Sequence, residues 1–277
     1  MDMEKTLGDI IFRKKGYKAY IILNRPQKLN ALTHAMYNTL NGLISEIEED
    51  PEIRVVIMKG NGNVFSSGYD ISAEADQANK GFDIIEARAM CKKTNEFRWK
   101  IWNSSKPYIA QLEKYCLGGG LSTVMCCDFL IGTEDLKIGE PEITFGAASG
   151  FMMMPWVCNL RKVKEVLMTG KRISGTEAAE IGLITKAVPA DQVEAEVEAL
   201  ANTMVKMPSN AVALYKAGIN HVYNVLGMKD AVENWDDLSI LMALSQTEET
   251  KMFNQVVSEK GVKAGLKWRD EYFASKL

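Results

Sequence analysis

The chain has 277 residues, 47% of them hydrophobic and 25% charged, with a formal net charge of −3 at pH 7. That length can bury a sizeable core, and the apolar share is that of an ordinary globular protein. The slight acidic excess, without a basic stripe, argues against a nucleic-acid partner, and no apolar run reaches the length of a membrane span.

The first residues, Met-Asp-Met-Glu-Lys-Thr, lack a basic region followed by an apolar one, so no secretory signal is expected. Five cysteines (Cys91, Cys116, Cys126, Cys127 and Cys158) form an odd set without framework spacing. They read as reduced, mostly buried thiols of a cytoplasmic protein. The only histidines, His34 and His221, stand apart from any cysteine or carboxylate cluster, which gives no metal site and disfavours a Ser-His-Asp hydrolase.

Residues 9–13 and 17–24 read as two strands around a turn. Asn24-Arg25-Pro26 then leads into Lys28-Leu29-Asn30-Ala31-Leu32. This is either a helix-entry loop with a solvated lysine or a backbone-and-lysine clamp on a phosphate-bearing ligand. Thr33 is a cap for a helix over 33–49, and Val55–Gly60 is a short apolar strand ended by glycine. Strand, helix and strand alternate as in stacked α/β units. Phe65-Ser66-Ser67-Gly68-Tyr69-Asp70-Ile71 is a glycine turn after that strand, with Gly68 suited to positive φ. Residues 72–83 read as a polar loop, and 84–103 as helix. Phe97, Trp99 and Trp102 lie near helical spacing and fit core or a subunit contact better than a substrate box.

A strand over 108–112 precedes Gly118-Gly119-Gly120, which opens a helix expected over 119–128. The triplet lacks the spacing of a dinucleotide fingerprint. Its amides lie at the positive end of the helix, and with the Gly68 turn they can aim two N–H groups at one oxygen. Asp128 reads as a structural carboxylate at a helix end, and 129–132 as a strand. Glu140-Pro141-Glu142 puts two carboxylates on one side of an extended segment. A surface pair is the default for them. Catalysis requires one buried beside the oxyanion donors with its pKa raised. Met152-Met153-Met154 suits adaptable packing, and lies just past Gly150 where it can line an acyl pocket. Helices are expected over 157–170 and 176–181, the latter before Leu183–Val188, and from about 192 nearly everything reads as helix. The division expected is an α/β core over 1–195 and a helical region over 196–277.

Together these segments resemble the crotonase (enoyl-CoA hydratase/isomerase) family along essentially the whole chain. The resemblance is carried by Asn24-Arg25-Pro26 with Asn30-Ala31-Leu32, Ser67-Gly68-Tyr69-Asp70-Ile71, Leu117-Gly118-Gly119-Gly120 with Cys127-Asp128, Gly139-Glu140-Pro141-Glu142-Ile143, and Met168-Thr169-Gly170-Lys171 followed by Ala178–Leu183. It implies a spiral of ββα units with a C-terminal helical trimerisation region, and a homotrimer or homohexamer that binds acyl-CoA. The amides of Tyr69 and Gly119 would then form the oxyanion hole for the thioester carbonyl. Lys28, Ser67, Asp70 and Ile71 would lie near the CoA, and Pro141, Phe145 and Gly150 would border the acyl group and its water. Coenzyme A enters as part of the substrate, with no separate cofactor.

Hydratases of the family carry two glutamates. The second falls on Glu142, while the first falls on Ser122. Single-glutamate members include the Δ3,Δ2-enoyl-CoA isomerases and the hydroxycinnamoyl-CoA hydratase-lyases. The latter look closer, through Gly-Gly-Gly-x-Ser and an element like Arg98-Trp99-Lys100, although their substrate-binding tyrosine falls on Ser239. The expected activity is addition or removal of water at the double bond of an α,β-unsaturated acyl-CoA, with an aromatic or cyclic acyl group within the range. Glu142 is the base and Ser122 its neutral partner. An isomerase using Glu142 alone, and a non-catalytic scaffold, are the alternatives. The acyl identity and the role of Glu140 are left open.

Overall fold

The computed structural model describes residues 2–72, 83–245 and 247–275. The polar loop expected over 72–83 falls almost wholly outside the described residues.

Seven strands form one sheet in the order β1-β2-β3-β4-β5-β7-β10. β1 (Met3–Leu7), β2 (Ile10–Lys15) and β3 (Lys18–Leu23) are antiparallel. β4 (Val55–Gly60), β5 (Tyr108–Leu112), β7 (Phe129–Thr133) and β10 (Lys186–Val188) continue the sheet in parallel from β3. A second sheet joins β6 (Tyr115–Leu117), β8 (Lys137–Gly139) and β9 (Ile173–Ser174). The central strands are buried along nearly their full length, as parallel strands covered on both faces must be.

One face of the large sheet is covered by α1 (His34–Glu49) and α2 (Ile84–Asn103), which enclose the main core with Leu40, Leu43, Phe97 and Ile101. The Thr33 hydroxyl accepts from the Met36 amide at 3.3 Å and so fixes the start of α1 where the sequence puts it. After the short α6 (Gly175–Glu180), the other face is covered by α7 (Val193–Lys206), whose Val193, Val197 and Ala201 meet Ile57, Ile109 and Ile131. Four further helices follow: α8 (Ser209–Val225), α9 (Met228–Ser245), α10 (Glu248–Lys260) and α11 (Val262–Ala274). Among the described residues no helix is long and apolar enough to cross a membrane.

The spiral has a simple repeat. A strand enters the large sheet, the chain turns, a second short strand enters the small sheet, and a helical turn follows. β5 leads to β6 and then α3 (Gly119–Val124); β7 leads to β8 and then a 3-10 turn at Pro141–Phe145. β4 leads to Ser66, which bridges Cys116 in parallel and stands where a second strand would lie. Three successive coils therefore end side by side, at Ser66, Leu117 and Gly139. α3 stops at Val124, four residues before the expected end, because Asp128 is drawn away to accept from the Tyr108 amide at 2.7 Å. The helix expected over 157–170 is α5 (Leu160–Thr169), which starts three residues later than expected and follows a separate short helix, α4 (Met154–Val157). Asn159 between them caps the second by accepting from the Arg161 amide.

Candidate active site

The three coil ends bring the site together. Gly68 (φ +105) and Gly118 (φ +49) make the turns, both in conformations that L side chains avoid. The first turn is held on both sides. Ser66 donates from Oγ to the Asn30 carbonyl at 2.8 Å and accepts on Oγ from the Gly68 amide, while the Leu117 amide donates to the Ser66 carbonyl at 3.1 Å. A Cβ on Gly68 would lie 2.9 Å from the Leu117 carbonyl oxygen and 3.6 Å from the Gly119 nitrogen. The Gly68 turn thus packs closely beside the Leu117–Gly119 backbone. Gly119 is the first residue of α3, so its amide has no acceptor within the helix.

Glu142 reaches the same place from the third coil. A Cβ on Gly118 would sit 2.0 Å from Glu142 Oε1, so the carboxylate packs against the α-carbon next to the Gly119 amide. Glu142 and Glu140 are both buried, unlike the surface pair that their spacing suggests by default. Ser122 is fully buried one turn into α3 and donates from Oγ to Glu140 Oε1 at 3.2 Å. Glu140 is pushed well above the usual carboxylate range, first by burial and then by the charge and hydrogen bond of Glu142, against the opposing pull of Ser122 and Arg98. Two acidic side chains, one serine hydroxyl and a glycine turn are therefore buried together.

The other sequence-derived residues divide. Pro141 is buried between the two glutamates. Gly150 leaves room for Tyr69: a Cβ there would lie 1.8 Å from the Tyr69 hydroxyl, and one on Gly119 would lie 2.9 Å from its ring. The Tyr69 ring thus spans the space between Gly119 and Gly150. Ser67 is half-buried, and its amide donates to the Leu29 carbonyl. Lys28 is exposed on the 3-10 turn Pro26–Lys28. Asp70 accepts from Arg25 Nη1 at 2.7 Å, so it pins the entry loop to the turn. Ile71 and Phe145 join a small cluster with Phe253 and Val257 of α10, where Phe145 stacks on Phe253 at 5.1 Å.

Sequence reasoning passed over Arg98 as a site residue. It is fully buried in α2. The signal was present: Cys91, Asn95, Arg98 and Trp102 follow a four-three-four spacing, so one helical face that otherwise packs inward carries a charge. Phe97 is core, and Trp99 meets Phe151 edge-on at 5.3 Å. Asp128 is structural: its carboxylate accepts from the buried Lys216 at 2.8 Å and so ties α8 to the sheet.

Comparison with known proteins gives the family. Residues 14–270 match the family model described as enoyl-CoA hydratase/isomerase. A probable enoyl-CoA hydratase of Mycobacterium tuberculosis is 32% identical, over 79% of this chain and 83% of that protein. A hydroxycinnamoyl-CoA hydratase-lyase of Pseudomonas fluorescens is 29% identical, over 69% and 70%. Among solved structures, an enoyl-CoA hydratase/isomerase from Xanthobacter autotrophicus Py2 superposes with a TM-score of 0.92 at 30% identity, over 96% of this chain and 99% of that one. The protein belongs to the enoyl-CoA hydratase/isomerase family, known also as the crotonases.

Proposed function

We propose that the protein is an enoyl-CoA hydratase-type lyase. The observation that carries this reading is the contact of Glu142 with Gly118, which sets a carboxylate beside the backbone donor of an oxyanion turn. In the reaction proposed, the thioester carbonyl lies between the amides of Tyr69 and Gly119. Glu142 takes a proton from water as its oxygen bonds to the β-carbon. The electron pair of the double bond moves onto the thioester as an enolate held by the two amides. Glu142 then returns the proton to the α-carbon, so the enzyme ends as it began. Glu140 stays neutral beside Glu142, because two carboxylates in contact in a buried site cannot both hold charge cheaply. It thereby supplies the second carboxyl group that position 122 lacks.

The CoA moiety is assigned to the face bearing Lys28 and Ser67, with the acyl group toward Pro141 and Gly150. A homo-oligomer, trimeric or built from trimers, fits the apolar face of α8, where Leu214, Tyr215, Ile219, Val222 and Val225 are all exposed. Light scattering on the wild type and on Leu214→Glu tests that assignment: a monomeric wild type refutes it.

The decisive assay follows crotonyl-CoA, a 3-enoyl-CoA and a cinnamoyl-CoA, separating water addition from double-bond migration. Hydration by the wild type and a loss of about 10²–10⁴-fold in Glu142→Gln, with CoA-thioester binding retained, is the expected result. Migration without hydration would make the protein an isomerase. Silence on the whole panel would leave a scaffold.

A further inference from the structure

Arg98 has a guanidinium with no exposure at all, and one of its edges makes no regular hydrogen bond. Nη1 donates to the Asn95 side-chain oxygen, and Asn95 Nδ2 in turn donates to Asp236 of α9 at 2.8 Å. This chain fixes one side of the guanidinium. Nε and Nη2 make no hydrogen bond of regular geometry, and besides Asn95 the Tyr69 hydroxyl is the acceptor within reach of the guanidinium. Those two nitrogens form the edge of an arginine that presents parallel N–H groups, the fork that grips a carboxylate by both oxygens. A neutral carbonyl or hydroxyl would satisfy only half of it. Arginine does not escape its charge by losing a proton, and a buried cation with open donors is costly until an acceptor fills them.

The surroundings place this fork in the acyl region. Aromatic rings lie around it, with the guanidinium carbon 5.5 Å from the Phe151 ring centre and 5.7 Å from that of Tyr37. Phe151 directly follows Gly150. The Tyr69 phenol, which spans Gly150 and Gly119, also lies beside the guanidinium and favours its charged form. Arg98 is therefore one side chain away from the turn that holds the Gly119 amide.

We infer that Arg98 is a specificity-determining residue that receives a carboxylate at the far end of the acyl group, making the preferred substrates CoA monothioesters of unsaturated dicarboxylic acids. The inference rests on the hydratase reading for its orientation, with the thioester at Tyr69 and Gly119 and the acyl tail running toward Phe151. Aromatic rings and aliphatic stems accommodate the chain, and the open fork selects its end. Carboxylate and guanidinium then neutralise each other out of water.

The test compares matched pairs: 2-enoyl-CoA thioesters of five, six and eight carbons, each with and without a terminal carboxylate. The wild type should favour the carboxylated member of at least one pair by about 10- to 100-fold in kcat/KM, the worth of hydrogen bonds to a charged group. In Arg98→Gln that ratio should collapse toward one. Arg98→Lys, which keeps the charge but loses the fork, should retain only a small part of it. Equal or better hydration of the neutral member in every pair overturns the inference, as does an Arg98→Gln variant that loses both members in parallel. A binding measurement separates this from failure of the hydratase reading. Calorimetry with saturated hexanoyl-CoA and adipoyl-CoA needs no turnover. Tighter binding of adipoyl-CoA by the wild type, abolished in Arg98→Gln and Arg98→Lys, supports the inference even if nothing is hydrated. Equal affinities refute it.

Discussion

Gly118→Ala isolates the contact on which the proposed chemistry depends. The added methyl group would lie 2.0 Å from Glu142 Oε1, where ordinary contact begins near 3.4 Å, so the carboxylate must retreat by about 1.4 Å, the difference between the two. Displacements of about 1 Å from productive geometry cost on the order of 10²-fold in rate. The backbone adds a separate term, because Gly118 has φ 49 and ψ −122, a region open essentially to glycine, at about 1–3 kcal/mol for any other residue. Both effects can be measured on one preparation. Loss of enoyl-thioester absorbance with crotonyl-CoA gives kcat, and a thermal melt gives stability, at about 2–4 °C per kcal/mol for a chain of this size. The expected outcome is a kcat lower by about 100-fold and a melting point lower by a few degrees. Gly42→Ala is the control: it lies on an exposed face of α1 with nothing within 4 Å, and should gain about 0.5–1 kcal/mol. A Gly118→Ala enzyme with near-native kcat would refute the placement of Glu142 as the base. A lower melting point alone would reduce Gly118 to a turn residue.

The Glu140 carboxyl is held above the usual carboxylate range, so from there up to its raised value the folded chain keeps a proton that the unfolded chain has lost. Stability therefore falls as pH rises through that window. Glu140→Gln should gain melting temperature relative to the wild type on going from about pH 5 to about pH 8, and a difference that stays constant with pH would contradict the buried pair. Asp128→Asn should cost about 3–5 kcal/mol in urea unfolding, since it leaves the Lys216 ammonium buried with only the Ile101 and Lys106 carbonyls. A change within about 0.5 kcal/mol would mean that α8 is held by other contacts. Gly150→Ala would put a methyl group 1.8 Å from the Tyr69 hydroxyl and displace the ring, so it should lower kcat/KM for crotonyl-CoA by about 10-fold or more, and an unchanged value would show that the ring position is immaterial.

What the sequence disclosed follows from the range of each signal. α1 and β4 are strongly patterned and locally capped, and they lie within a residue of their expected limits. β6, β8 and β9 have three, three and two residues, too few for any period to register, and they exist because they pair with one another. β1 was missed because Met3–Leu7 is largely exposed and gains order only from β2. The glycine turns were legible because positive φ and spacing are local properties. Glu142 was singled out by the family resemblance, but the burial of the pair was not legible: two acids separated by a proline look solvated until Ser122, 18 residues earlier, is found against Glu140. Phe145 was expected beside the acyl group and Ile71 near the CoA; that both also pack on α10, over a hundred residues after Phe145, is a contact no local pattern announces.

The three adjoining coil ends have a further consequence. One coil ends in the Tyr69 amide, the next in the Gly119 amide and Ser122, and the third in Glu140 and Glu142. Each part of the chemistry is thus carried on its own segment, anchored by its own strand in the large sheet. Removing a carboxylate from one segment and supplying it from its neighbour leaves the backbone donors and the strands beneath them intact. Such a scaffold allows its reaction to be altered one segment at a time, and on the proposed reading Ser122 donating to Glu140 would be one such exchange between neighbouring segments.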